Sequence, residues 1–316
     1  MKIIIGFFIT LLLITSCNQV NNSSIAYSIA ENDLIPEGIT YSSTTNSFYI
    51  SSIAKTKIVQ INAETGEFND FISSDLLGME FLGMIVDDSS GLLWACGNIT
   101  KGNEHHSTVA KFNLTTGECI GSYLNIDTVA FLYNDLVQDN NGNVYITNSR
   151  GQDIYQIDHQ TDSVNLFFEG DQIDHPNGIT ISPDDKYLFV ATNNGIRVID
   201  INTRKIIDEP GINKESFGID GLKYYQHSLI GIQNGVEELS EIKINRYYLD
   251  ESGTKITKME TIDQNNPSFD IPTTFVIVKG HLYCLANSQL GNISLDGKII
   301  NYEILKDILI LKYRLK

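Results

Sequence analysis

The stretch PNGITISPDDKYLFVAT, residues 176–192, holds two apolar strands around a polar turn. Ser182, Pro183, Asp184 and Asp185 are turn formers, because short polar side chains bond back to nearby backbone amides and proline fixes its own φ. The Asp184–Asp185 pair therefore reads as turn chemistry rather than catalysis. A buried strand should nevertheless open on an apolar residue, and this one opens on Pro176, Asn177 and Gly178. An amide in that position needs a purpose other than strand pairing.

The same plan recurs along the chain. GITYSSTTNSFYISS runs from Gly38, GMIVDDSSGLLWACG from Gly83, DLVQDNNGNVYITNS from Asp135, GLKYYQHSLIGIQN from Gly221 and TFVIVKGHLYCLANS from Thr274. Alternating runs follow, such as Ile58–Asn62, Val109–Leu114, Ile154–Asp158 and Ile196–Ile201, with the period of two that marks a half-buried strand. Most units close on a fourth strand, for example Phe68–Ile72, Cys119–Leu124 or Val164–Phe168. A unit of roughly 40 to 50 residues is the period of propellers and solenoids, and the scarcity of amphipathic helical stretches excludes a helical solenoid. The reading is all-β: a single six-bladed β-propeller over residues 25–316, with four antiparallel strands per blade. Ile25–Ala30 precedes the first inner strand, so it must pair with the last blade and close the ring, since an open seam would expose sheet edges. Ile308–Leu315 fits either a further strand of that blade or a short docking helix.

In a propeller the innermost strand of each blade lines the central channel, and the residues that open those strands converge at one face. Four of them carry carboxylate or amide oxygens: Glu37, Asn134, Asn177 and Asp220. Two carboxylates and two amides make a hard, all-oxygen set that suits Ca²⁺, whereas zinc would want nitrogen or sulfur. Without a cation the two carboxylates would repel each other and hold a raised pKa. One divalent ion, most simply Ca²⁺, is the expected cofactor.

The motifs PEGI at Pro36–Ile39, YNDL at Tyr133–Leu136, PNGITISPDDKYLFVA at Pro176–Ala191 and DGL at Asp220–Leu222 resemble the senescence marker protein and gluconolactonase family, also called regucalcin-like, and more distantly the paraoxonases. The resemblance covers nearly the whole chain after its N-terminal segment. It implies that Glu37, Asn177 and Asp220 are metal ligands, that Asn134 contacts metal or substrate, and that the chemistry is hydrolysis of lactones. On that chemistry a bound ion would polarise the lactone carbonyl, and Asp220 would act as general base toward the attacking water.

The pattern also departs from the family. Sugar-lactone members carry an Arg two residues before the second-motif Asn, where this chain has Leu132, so a less polar lactone or ester is as well matched as a polyol. No His occupies the start of the second inner strand, which reads Glu80-Phe81-Leu82-Gly83, so no paraoxonase His dyad is inherited. Gly38 replaces the Asp that holds the paraoxonases' second calcium, which predicts one ion rather than two. His105 and His106 fall in an expected loop, Gly97–Ser107, over the metal face. They are candidate substrate contacts, although an exposed loop histidine, like His175, is the commoner case. Trp94 reads as core. Tyr224 and Tyr225 fit either the channel or the space between blades. Three function readings follow: a metal-dependent lactone or ester hydrolase, a non-catalytic propeller that binds a ligand or protein partner at a metal-plugged channel, and a synthase-like condensing enzyme on the same scaffold.

Bulk properties limit partners and place. The 316-residue chain carries 22 basic against 39 acidic residues, a net charge of −17, so nucleic acid and other polyanions are excluded as partners. A small-molecule substrate and a monomeric state are expected. After Lys2, the apolar run Ile3–Ile14 is too short to cross a bilayer and suits a signal-peptide core. The small residues before Cys17 resemble a bacterial lipoprotein cleavage box, which implies a lipoprotein-type signal over residues 1–17, a lipidated Cys17, a tether over residues 18–24, and a bacterial envelope protein facing the periplasm. An ordinary cleaved signal with Cys17 as bystander is the other reading. Cys96, Cys119 and Cys284 lack the spacing of a zinc or redox site, and three thiols do not make a disulfide framework.

Overall fold

The structure, a computed structural model, describes residues 23–101, 104–125, 131–207, 216–234, 242–294 and 297–316. Strand β1 (Ser23–Ile29) precedes the first blade, β2 (Pro36–Ser42), β3 (Ser47–Ser52), β4 (Ile58–Asn62) and β5 (Phe68–Ile72). The second blade is β6 (Glu80–Asp87), β7 (Leu92–Lys101), β8 (Glu104–Asn113) and β9 (Cys119–Asn125), and the third β10 (Tyr133–Gln138), β11 (Val144–Asn148), β12 (Asp153–Asp158) and β13 (Ser163–Glu169). The fourth is β14 (Ile179–Ile181), β15 (Tyr187–Thr192), β16 (Gly195–Asp200) and the short β17 (Lys205–Ile206), and the fifth β18 (Ile219–Tyr224), β19 (Ser228–Gln233), β20 (Lys243–Leu249) and β21 (Ile256–Gln264). The sixth sheet takes β22 (Phe275–Val278), β23 (His281–Leu285) and β24 (Ile308–Arg314), and its outer strand is β1.

The molecule is thus a six-bladed β-propeller of four-stranded antiparallel sheets. The C-terminal segment is a strand, and β1 pairs with it from Ser23↔Tyr313 to Ile29↔Ile308. The first and last described strands therefore belong to one blade and remove the seam that a linear array would leave open. Ser23 and Ser24, expected in the tether, already belong to β1. Residues 1–22, with the expected signal segment and Cys17, lie outside the described residues.

Middle strands carry apolar residues on both sides because each sheet face meets a neighbouring blade. All six residues of β3 are buried, whereas outermost β5 is exposed over its first three. Six apolar clusters result, one per blade interface. Tyr49 and Ile58 meet Phe81 and Leu93 between blades one and two. Ile310 and Leu285 meet Phe48 and Ile50 between blades six and one, so the ring is closed by packing as well as by pairing. Trp94 sits in the cluster between blades two and three, stacked on Tyr123. Tyr224 and Tyr225 pack against the clusters between blades, which settles them as packing residues. Cys96 and Cys284 are buried free thiols and Cys119 is half-buried, as small apolar side chains are.

The turns follow their local chemistry. The Ser182 hydroxyl accepts from the amides of Lys186 and Tyr187 and donates to Asp184, so this acidic pair is a turn clasp. Asp139 does the same around Asn141-Gly142, accepting from the amides of Asn141 and Asn143.

Candidate functional site

The inner strands β2, β6, β10, β14, β18 and β22 contact one another in sequence around the axis and back to β2. At the end where they begin, a small cavity is lined by Glu37, Asn134, Asn177 and Asp220, the four predicted residues, together with Asp135 and Thr274. Oxygen-bearing side chains from blades one, three, four and five thus meet at one channel mouth.

A repeated local device turns them inward. In β2, β6, β10 and β18 the pairing register slips where the strand opens: between Pro36 and Ile39, Phe81 and Met84, Tyr133 and Leu136, and Ile219 and Leu222. These bulges free Glu37, Asn134 and Asp220 from the ladder and aim them at the axis, as a bulge beside a site commonly does. In the fourth and sixth blades the matching residues, Asn177 and Thr273, precede the strand. Two residues upstream of Glu37, Asn177, Asp220 and Thr273 the backbone is left-handed, with φ of 45° at Ile35, 47° at His175, 63° at Gly218 and 52° at Ile271. For a buried β-branched residue such as Ile35 that conformation is strained, and strain of this kind gathers at functional sites.

After Glu37, Asn177 and Asp220 a glycine follows, for a steric reason. A Cβ on Gly178 would lie 2.2 Å from the Asp220 carbonyl oxygen, and one on Gly38 would lie 2.2 Å from that of Leu82. Neighbouring inner strands touch there backbone to backbone. The Gly178 amide donates to Asp220 O at 2.9 Å, the Gly221 amide to Thr273 O at 3.0 Å, and the Thr147 hydroxyl to Asn177 O at 2.8 Å. The mouth is therefore a rigid hoop of backbone on which the oxygens are mounted.

Burial and mutual repulsion dominate the electrostatics. Glu37, Asn134 and Asp220 are 6, 8 and 7% exposed. Burial, then the charges of Asp220 and Asp135, push the Glu37 carboxyl well above its ordinary value. Burial raises Asp220 to about 7, against hydrogen bonds from Asn234 and Asn177 that favour its charged form. Asn234 donates to Asp220 Oδ2 at 2.7 Å. Glu37 Oε2 and Asn134 Oδ1 are buried and have no hydrogen-bond partner. Two orphaned oxygens in one cavity are costly unless something satisfies them. Only a donor or a cation can do so, and the donor set is all oxygen. Glu37, Asp135 and Asp220 share the cavity, yet among the described residues no three His, Cys, Asp or Glu side chains form a metal-binding group by themselves, so amide oxygens would belong to any such set.

Sequence reasoning missed Asp135, Lys223 and Asn234. Asp135 stood in plain view beside Asn134, whereas Lys223 and Asn234 offer no motif and reach the site through the ring geometry alone. His105 and His106 do not form a loop. They lie in β8, where Ile99 pairs with His106 and Gly97 with Thr108, so the expected loop Gly97–Ser107 is a long hairpin. His106 is half-buried and does not line the cavity, and the side chain of His105 lies outside the described set. His175 is exposed and bonded to Asp174. Leu132 is half-buried against the core between blades two and three, not in the cavity.

This architecture is shared by proteins of varied activity. The chain resembles the structure of a gluconolactonase from Xanthomonas campestris at 13% identity and a TM-score of 0.61, over 92% of this chain and 87% of that one. It resembles virginiamycin B lyase from Staphylococcus aureus at 16% identity and a TM-score of 0.61, over 93% and 89% of the two chains. The major Malassezia sympodialis allergen Mala s 1 aligns at 16% identity and a TM-score of 0.66, over 91% and 94%. Likeness at such identity establishes the fold alone. No curated protein sequence matches this chain. The family model described as SMP-30/Gluconolactonase/LRE-like region matches residues 35–215, a span that holds Glu37, Asn134 and Asn177. With the inner-strand motifs meeting at one mouth, the chain belongs to the SMP-30/gluconolactonase/LRE-like family.

Proposed function

We propose that the protein is a hydrolase of a lactone or related ester that depends on one divalent cation, most simply Ca²⁺, held by Glu37, Asn134, Asn177 and Asp220. The carrying observation is the pair of orphaned buried oxygens, Glu37 Oε2 and Asn134 Oδ1, in the cavity that Asp220 and Asn177 complete. When bound, such a cation supplies Lewis acidity: it polarises the lactone carbonyl and stabilises the negative charge growing on its oxygen. The remaining work falls to the chain. Asp220 takes a proton from the attacking water on a carboxylate oxygen, and Asn234 holds Oδ2 so that the carboxylate keeps one orientation. The backbone hoop keeps the ligand oxygens from drifting apart when substrate enters, which is the preorganisation that charge stabilisation needs. Leu132 stands two residues before Asn134, where the family's sugar-lactone members carry an arginine, so less polar lactones or esters are matched as well as polyols.

A panel of sugar, aliphatic and aryl lactones, followed by acid release on the protein lacking residues 1–17, tests this. Turnover that chelator abolishes, calcium restores and Asp220→Asn removes is expected. Cation binding with no turnover on any member would leave a ligand-binding propeller instead.

The proposal extends to location: Cys17 carries lipid and the propeller faces the periplasm as a monomer. β22 leaves the mouth, β23 returns, β24 leaves and β1 returns, so Ser23 starts on the face opposite the cavity. A tether attached there turns the mouth away from the membrane. Labelling with a radioactive fatty acid in a bacterial host should mark the wild type and not Cys17→Ser, and label on neither would refute the anchor.

A further inference from the structure

The cavity holds a third carboxylate that the ligand set leaves unused. Asp135 is 6% exposed and lines the same space as Glu37 and Asp220. Its Oδ1 accepts from the Leu136 amide at 2.9 Å, and its Oδ2 from the Ile179 amide at 3.3 Å and from Lys223 Nζ at 3.2 Å. Lys223 stands on β18 of the fifth blade and Asp135 on β10 of the third, so this ion pair reaches past the inner strand of the fourth, whose Ile179 amide completes it. Both oxygens of Asp135 are thereby committed to the chain's own donors.

We infer that Lys223 is a built-in cation of the channel, neutralising Asp135 and so limiting the mouth to a single divalent ion. The reasoning rests on the cation reading above and on charge. With Glu37 and Asp220 ionised as ligands of the cation, three carboxylates against one ammonium leave a net of two negative charges, the match of one divalent cation. A buried carboxylate without a partner is costly and is ordinarily paired or metal-bound. Because the ammonium is tethered three residues from Asp220, its local concentration at Asp135 far exceeds that of any free ion, and a second metal ion is outcompeted there. In this reading Lys223 touches no substrate; it sets how many ions the channel takes.

Calcium titration by calorimetry, on chelator-stripped full-chain protein, tests the inference, with circular dichroism to confirm the fold. The wild type should take one ion. Lys223→Met should take two, because Asp135 regains a free charge. Asp135→Asn should still take one, but about tenfold more weakly, because an unpaired ammonium then faces the site through a protein-like dielectric. The double variant should return to one ion near wild-type affinity. If Lys223→Met does not fold, Asp135→Asn and the double variant decide by that weakening and its reversal. One ion at unchanged affinity in all variants would overturn the role of Lys223 and leave the cation reading intact. No uptake by the wild type would overturn the cation reading, and this inference with it.

Discussion

The Thr273 hydroxyl, on the last blade, donates to the backbone carbonyl of Glu37, on the first, at 2.7 Å in a buried contact across 236 residues of chain. It closes the hoop at the point where a ligand residue is mounted. Thr273→Val keeps the shape of the side chain and orphans the Glu37 carbonyl, at a cost of about 1–3 kcal/mol. Thermal unfolding should show that loss. Calcium affinity should fall further than in an equally destabilised variant of the outer strands, because Glu37 itself is loosened.

Stability should depend on pH with a defined sign. Asp220 is raised to about 7, and Glu37 moves in the same direction, both chiefly by burial. Below the ordinary carboxylate range folded and unfolded chains are both protonated there. As pH rises above about 4 the unfolded chain gives up those protons while the folded one keeps them, so stability falls, for the Asp220 contribution until about pH 7. Chelated protein should therefore melt several degrees lower at pH 8 than at pH 5. Saturating calcium should remove most of that difference, because a cation favours the ionised forms. A chelated protein whose melting point rises over this window would contradict the burial of these carboxylates.

Gly178→Ala should be costly even though alanine is the mildest of substitutions. Its Cβ would stand 2.2 Å from the Asp220 carbonyl, so blades four and five must part, at about 1–3 kcal/mol for an overpacked site. Gly291→Ala, where the nearest atom is an Ile271 methyl at 3.4 Å, is the control and should move the melting point by a degree or less. Equal shifts in the two would show that the hoop is not tight.

Asn234→Ala removes the amide that stabilises ionised Asp220. The Asp220 carboxyl should rise further, moving the acid limb of the activity profile to higher pH, with kcat lowered more than KM is raised. A uniform loss at every pH would mean that Asn234 only supports the fold.

The propeller was legible in the sequence because its signal is redundant: the same strand, turn and strand pattern returns in every blade, and an error in one unit is corrected by the next. Asn177 was legible because an amide and a glycine at the head of an apolar strand contradict strand propensity, and such contradictions mark function. The C-terminal strand stayed ambiguous because ILILKYR alternates poorly; what makes it a strand is the unpaired edge of β23, a tertiary fact. The histidine hairpin was misread as a loop because Asn98, Thr100 and Lys101 are polar, yet β7 and β8 pair through them. Lys223 and Asn234 were invisible for a different reason. Their partners, Asp135 and Asp220, lie 88 and 14 residues away, and no spacing rule links positions that meet only after the ring has closed.

The most direct measurement is calcium titration by calorimetry on stripped wild type, Glu37→Gln and Asp220→Asn. One ion per chain in the wild type, with affinity lowered at least about a hundredfold in each variant, is expected when charged ligands on separate blades share one ion. Binding of wild-type strength in both variants, or none in the wild type, would contradict a cation held at the mouth of the propeller.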